Sequence, residues 1–218
     1  MNISYDNEFD SFLDNSTRVT IITSPMYSDT RGSFTEYWKV GDVIFPIDLN
    51  ENMKQINVSY TKKSTVRGCH AQMGASCQGK LVTALNLPII DIITDARPNM
   101  KSFGKSKAYL LNPDEQTKLW VPRGFLHSFV TGQDEGKYIF QYICDNVYDK
   151  LSEVCVDPST VIYDALNDFY TNNPQMKPKK SITYDCSEKD KNGLPLDKFL
   201  NSVRDMYEKQ NKLWFECK

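Results

Sequence analysis

The feature that most constrains the fold is a rhythm. Between about Thr17 and Val156 the apolar residues come in short runs, each closed by turn chemistry. RVTIIT, KLVTALNLPIIDIIT, KAYLLN, KLWVP, HSFVTG and KYIFQYIC are rich in β-branched and aromatic residues, and Gly, Pro, Asn and Asp punctuate them. Alternation and composition of this kind favour strands over helices. Many short strands without intervening helices predict a mainly β chain, a β-sandwich of the jelly-roll kind. Pro88, inside the longest run, predicts an edge strand or a bulge, because proline has no N–H to give to a ladder.

After roughly Val156 the texture changes. Residues 157–185 read as a loop, and TNNPQMKPKK at 171–180 is polar and broken by proline. From Pro195 onward Leu196, Phe199, Leu200, Val203, Met206 and Tyr207 fall at three- and four-residue steps. That spacing predicts one helix with an apolar stripe for the sandwich or for a partner subunit, and Pro195 suits its first turn. The whole chain, 1–218, reads as one domain: a core at 17–156 and a helical C-terminal extension at 157–218.

Charged residues make up 25% of the 218 residues and nearly balance, leaving a formal charge of −2. A nucleic-acid binder carries a basic surplus, so that class is set aside. The six cysteines are irregularly spaced and form no C-x-x-C pair. A chain this long needs no staples, so they read as reduced thiols of a cytoplasmic protein. The opening MNISYDNEFDSFLDN is too acidic for a signal peptide, and no apolar run approaches a membrane span.

Only two histidines are present, His70 and His127. The three-imidazole metal sites common in small β-barrels cannot be assembled from one such chain, so no metal is expected. A lone histidine is ordinarily a hydrogen-bonded structural residue. His70, however, lies in VRGCHAQMGASCQGKLV, which gathers Arg67, His70, a glutamine and Lys80 into one stretch. Charges at that density are costly unless they face a solvated cavity or a charged ligand. A solvated hairpin face is the bland account. An anionic, oxygen-rich ligand explains the types better: Arg for phosphate, Lys for a developing oxyanion, His for proton transfer. His127, in KLWVPRGFLHSFVT, is as well explained by structure as by function.

Taken in order, the motifs resemble the dTDP-4-dehydrorhamnose 3,5-epimerases. SPMYSDTRGSFTE is similar to that family's D-x-R-G-x-F-x-E, which makes Arg31 and Glu36 substrate contacts. QINVSYTKKSTVRGCHAQ is similar to Q-x-N-x-S leading into R-G-x-H-x-Q, with Gln55, Asn57, Arg67 and His70 in step, and Lys80 follows in QGKLV. DIITDARPNMKSFGK resembles a D-x-R-x-x-S-x-T-x-G strand and turn, with Phe103 where Thr is usual. VPRGFLHSF, carrying His127, resembles P-x-G-x-x-H-x-F. YICDNVYDKLSE places Tyr142, Tyr148 and Glu153, and CSEKDKNGLPL places Lys189 and Asp190. Each motif alone is weak, but the ordered set is specific. Ala71 and Val147 stand where the family has aromatics, and the tail beyond Asp190 lies outside the resemblance.

The resemblance implies a cupin-type jelly roll and a cofactor-independent epimerase acting on a nucleotide-linked 4-keto-6-deoxy sugar. His70 would be the base, Asp190 its hydrogen-bond partner, Lys80 the stabiliser of the enolate oxygen, and Tyr142 the acid on the opposite face. An imidazole's ordinary pKa near 6.5 suits such proton transfer. Arg31, Arg67 and Lys189, with Glu36, Gln55 and Asn57, would hold the diphosphate and sugar hydroxyls, and His127 and Glu153 count with them as substrate contacts. The default nucleotide is dTDP; UDP, GDP and CDP stay open because of the missing aromatics. A homodimer exchanging strands near the N-terminus is implied. No redox step needs a cofactor, in keeping with a sequence that has no G-x-G-x-x-G or P-loop pattern. The rival outcomes on this scaffold are inversion at C3 alone or C5 alone, or a 3,4-ketoisomerase. The last is disfavoured by the single histidine in HAQ. A non-catalytic sugar-binding jelly roll is the rival from another class, and it leaves His70, Lys80, Tyr142 and Asp190 as coincidence.

Overall fold

In the computed structural model, which describes residues 1–9, 17–37, 53–210 and 212–215, the short apolar runs are strands. In chain order they are β1 (Asn2–Tyr5), β2 (Thr20–Thr23), β3 (Tyr27–Asp29), β4 (Gly32–Phe34), β5 (Gln55–Thr61), β6 (Val66–Gln72) and β7 (Lys80–Ala84). There follow β8 (Ile89–Asp95), β9 (Ser106–Leu111), β10 (Thr117–Val121), β11 (Phe125–Thr131), β12 (Tyr138–Cys144) and β13 (Glu153–Cys155). The α-helices among the described residues are α1 (Ile162–Asn172), α2 (Glu188–Lys191) and α3 (Leu196–Gln210).

The strands form two antiparallel sheets. One runs β1-β2-β10-β7-β12-β5 and the other β13-β6-β11-β8-β9, while β3 and β4 pair only with each other. This is the jelly-roll sandwich, mainly β with helices toward the C-terminus. The run KLVTALNLPIIDIIT does not make one edge strand. It splits at Pro88 into β7 and β8, which belong to different sheets. The proline therefore marks a crossover between layers and leaves both ladders intact.

Facing side chains of the two sheets make the inner core, including Val82, Ile93, Leu119, Phe129 and Phe140. The Phe129 and Phe140 rings lie 4.4 Å apart. Burying each such side chain stabilises by about 1.5–3 kcal/mol. The five-stranded sheet is covered on its other face as well. Ala71, Ile92, Leu126 and Val130 pack there against Ile162, Leu166, Phe199 and Val203 of the helices. Burial on both faces is why β8 reads as a nearly continuous apolar run rather than an alternating one.

Helix α3 buries Phe199 and Val203 on the sandwich, as its spacing predicts. Helix α1 was not foreseen. The stretch read as loop at 157–185 holds Ile162, Ala165, Leu166 and Phe169 at helical steps, all buried. Its Asn- and Pro-rich C-terminal flank, Asn172 to Pro174, concealed the pattern that precedes it.

Strand β5 has an inverted pattern for a solvent edge. Gln55, Asn57 and Ser59 are half-buried on one face, and Ile56, Val58 and Tyr60 are exposed on the other. Ile56 keeps 53% of its surface in solvent.

Candidate active site

A bulge in β6 builds one wall of the site. Along β11, His127 pairs with His70 and Phe129 with Arg67, so two steps on β11 oppose three on β6. The extra residue turns Arg67 and His70, which strict alternation would set on opposite faces, toward the same side. Gly68 permits this with φ at +104°. A Cβ there would lie 2.5 Å from the His127 carbonyl oxygen and 2.7 Å from Ser128 Cβ, so no other residue fits without rearrangement. Strict alternation along VRGCHAQ is broken at this glycine.

The partners of His70 arrive from two later elements. Strand β13 lies against β6 with Cys155 opposite His70 and Glu153 opposite Gln72. Ser187 caps α2, its Oγ accepting from the Asp190 N–H at 3.1 Å, and that short turn delivers the buried Asp190 carboxylate. His70 Nε2 and Asp190 Oδ1 are 2.7 Å apart, and His70 Nδ1 lies 3.7 Å from Glu153 Oε1. Burial works against ionisation of Asp190. The hydrogen bond and charge of His70, helped by Ser187, outweigh it and hold the carboxyl below its ordinary value. An ionised carboxylate only accepts, so Nε2 carries a proton, and the neutral ring therefore has its lone pair at Nδ1.

Glu153 is treated similarly. Burial pulls its pKa up, but hydrogen bonds from Lys189 and from Tyr148, at 2.9 Å, prevail and lower it. The imidazole thus has a carboxylate beside each nitrogen. Cys155 Sγ lies 3.5 Å from Asp190 Oδ1, and burial, reinforced by that carboxylate, pushes its thiol up to about 12.

A cleft of about 340 Å³ opens between the sheets here, within the ordinary size range of small-molecule sites. From the five-stranded sheet it is lined by His70, Gln72 and Glu153. From the six-stranded sheet it is lined by Gln55, Asn57, Lys80 and Tyr142. His70 and Tyr142 therefore stand on opposite walls. Burial raises the Tyr142 phenol above its ordinary value, with the neighbouring Cys144 and Glu153 adding to the shift, so it stays protonated at neutral pH. A second cavity of about 500 Å³ shares His70 with the first and is lined also by Lys62, Arg67, Lys189 and Asp190. The larger space of about 540 Å³ around Lys107, Tyr109 and Phe169 shares no residue with either and carries no histidine.

Three residues named from the sequence are not in this assembly. His127 does not line the cleft. Its Nε2 is 2.7 Å from Oδ1 of the wholly buried Asp91, and its ring stacks on Phe140 at 6.1 Å. A buried carboxylate needs such a partner, which gives the ring a structural task here. Arg31 is 87% exposed and paired with Asp29 on the β3–β4 hairpin. Glu36 lies just beyond that hairpin, exposed. Conversely, Tyr148, Gln78 and Gln72 join the lining. Gln72 accepts from Asp149 N–H at 2.6 Å and donates to the Ser76 carbonyl at 2.7 Å, tying two loops at the rim. The Q of HAQ was visible in sequence, but its role depends on loops that only the fold brings together.

The family model described as dTDP-4-dehydrorhamnose 3,5-epimerase matches residues 16–198. The chain belongs to that family. It is 32% identical over 148 residues to the dTDP-4-dehydrorhamnose 3,5-epimerase of Escherichia coli K12, covering 67% of this chain and 79% of the relative. The crystal structure of the Elizabethkingia anophelis enzyme of the same name superposes with a TM-score of 0.64 at 27% identity, over 88% of this chain and 98% of that one. The Bacillus anthracis enzyme, solved with TDP and PPi bound, gives 0.64 at 25% identity over 85% and 98%. The chain is therefore an epimerase. Among its described residues no helix is long and apolar enough to cross a membrane.

Proposed function

We propose that this epimerase inverts C3 and C5 of a dTDP-linked 4-keto-6-deoxy sugar, converting the gluco to the rhamno configuration. The observation that carries the reading is the placing of His70, backed by Asp190, and of Tyr142 on opposite walls of one cleft, with Lys80 on the Tyr142 wall. Inversion requires a proton to leave one face of a carbon and return to the other. The ketone at C4 acidifies the hydrogens on both neighbouring carbons. His70 Nδ1 takes the proton, and the imidazolium that forms is held between Asp190 and Glu153. Lys80 meets the negative charge growing on the C4 oxygen, a donor of the kind whose loss costs roughly 10²–10³ in rate. The Tyr142 phenol returns a proton from the far wall.

Arg67 and Lys189, in the adjoining cavity, take the diphosphate, and Gln55 and Asn57 take sugar hydroxyls. The B. anthracis relative with TDP and PPi bound supports dTDP as the nucleotide. A homodimer fits the exposed apolar face of β5 and the exposed Tyr27 and Phe34 of the β3–β4 hairpin. In that assembly the hairpin brings Arg31 and Glu36 to the partner's cleft, which accounts for their distance from the cleft of their own chain. The test is incubation with dTDP-4-keto-6-deoxyglucose, chemical reduction of the product and analysis of the released sugar. Rhamnose is the expected product. Recovery of unchanged gluco-configured sugar, with UDP-, GDP- and CDP-linked analogues also inert, would refute the reading.

A further inference from the structure

The proton-transfer pair accounts for only part of the cluster at the end of β6. Ligand atoms of His70, Cys155 and Asp190 all lie within 4.8 Å of one another. Backbone geometry sets their approach: Cys155 is the direct cross-strand neighbour of His70, and the α2 turn presents Asp190 to both. We propose that this cluster is a binding site for a thiophilic divalent cation, zinc above all, and that occupation switches the epimerase off. The inhibitory half rests on the reading of His70 as the base.

Imidazole, thiolate and carboxylate are the donors zinc accepts, at about 2.0–2.3 Å each, and three of them leave a fourth position for water. Donors around one such ion lie roughly 3–4 Å apart. Cys155 Sγ and Asp190 Oδ1 are already 3.5 Å apart, and the 2.7 Å contact of His70 Nε2 with Asp190 needs to open only slightly. Glu153, 3.7 Å from Nδ1, keeps the surroundings anionic although it also holds Lys189.

The exchange balances simply. One cation enters, and the thiol proton of Cys155 leaves to solvent. The Nε2 proton of His70 moves to Nδ1 while the Nε2 lone pair goes to the metal. A neutral imidazole bound in this way has no lone pair left at Nδ1 to accept a proton from substrate. The cation therefore removes the base.

Cobalt(II) titrated into the purified full chain without substrate is the direct probe. The expected result is a near-ultraviolet thiolate-to-cobalt band that saturates at one equivalent, is displaced by zinc and is lost in Cys155→Ser. Zinc should inhibit solvent deuterium exchange into the sugar. The half-inhibiting concentration, measured against each variant's own basal rate, should rise in Cys155→Ser by at least the roughly 10–100-fold that losing even an outer-shell partner costs. If Cys155→Ser does not fold, Asp190→Asn serves the spectral arm, with weaker cobalt binding expected. Absence of the band, or its persistence in Cys155→Ser, overturns the site. Full exchange in zinc-saturated wild type overturns the switch. The spectral arm needs no substrate, so a protein that binds cobalt as described but exchanges no deuterium supports the site while refuting the function.

Discussion

Replacing Asp190 by Asn changes one atom's chemistry and little else. The carboxylate is buried, sits 2.7 Å from His70 Nε2 and has its pKa held below the ordinary carboxylate range, so at pH 7 it is an anion accepting from Nε2–H. An amide can meet the ring in two ways. If its NH2 faces Nε2, that nitrogen must accept, and the proton moves to Nδ1 and abolishes the base. If its oxygen faces Nε2, the tautomer survives but the imidazolium loses a charged partner. Charge-assisted hydrogen bonds contribute about 1.5–3 kcal/mol against about 0.5–1.5 for neutral ones, so the second case costs about 1–1.5 kcal/mol. That is roughly a tenfold loss in rate. The first case removes general-base catalysis, worth roughly 10²–10⁴. The turnover number of Asp190→Asn should therefore fall between these bounds, with KM changing little. Deuterium exchange rates at matched protein concentration measure this, with circular dichroism to establish folding. The acid limb of stability supplies a second readout. A carboxyl with a depressed folded pKa stabilises above its unfolded value, about 3.9, and that stability is lost as pH falls through the folded one, so Asp190→Asn should flatten this part of the profile. A folded Asp190→Asn protein with turnover within twofold of wild type would refute the assignment of the dyad.

Tyr142→Phe should keep exchange at C3 and lose inversion at C5, read by proton NMR of the product; equal retention at both carbons would remove Tyr142 from the mechanism. Lys118 is a buried lysine whose pKa burial lowers to about 8 from 10.5. Between those values the unfolded chain binds more protons, so stability should rise with pH across this window, and Lys118→Met should flatten the rise. At pH 7 that variant should gain up to about 3 kcal/mol, read as a higher Tm; an unchanged alkaline profile would contradict this. Gly68→Ala puts a methyl against the His127 carbonyl and Ser128 in a left-handed conformation. Strain and overpacking, each about 1–3 kcal/mol, should lower Tm and cost activity together; a variant as stable as wild type would refute the bulge.

Much of the fold was legible because the sandwich writes itself in period two. The pairing of His70 with Asp190 was legible only through the family motif, since 120 residues separate them and EKDK alone reads as a solvated run. What stayed hidden has specific causes. Helix α1 carries a clear stripe in Ile162, Ala165, Leu166 and Phe169, overshadowed by the proline-rich segment after it. The bulge at Gly68 defeats alternation, so the shared facing of Arg67 and His70 could not be derived. The sequence left His127 even between structure and function; its contact with the buried Asp91 depends on β11 lying beside β8. Cys155 gave no local signal, since its place depends on β13 finding β6.

The central claim is that His70 moves protons at both carbons flanking the ketone. The most direct measurement is proton NMR of dTDP-4-keto-6-deoxyglucose incubated with the protein in deuterated water, wild type beside His70→Ala. Deuterium entering C3 and C5 with wild type, and neither with a folded His70→Ala, is the predicted result. Exchange at both carbons that survives the loss of His70 would contradict the account.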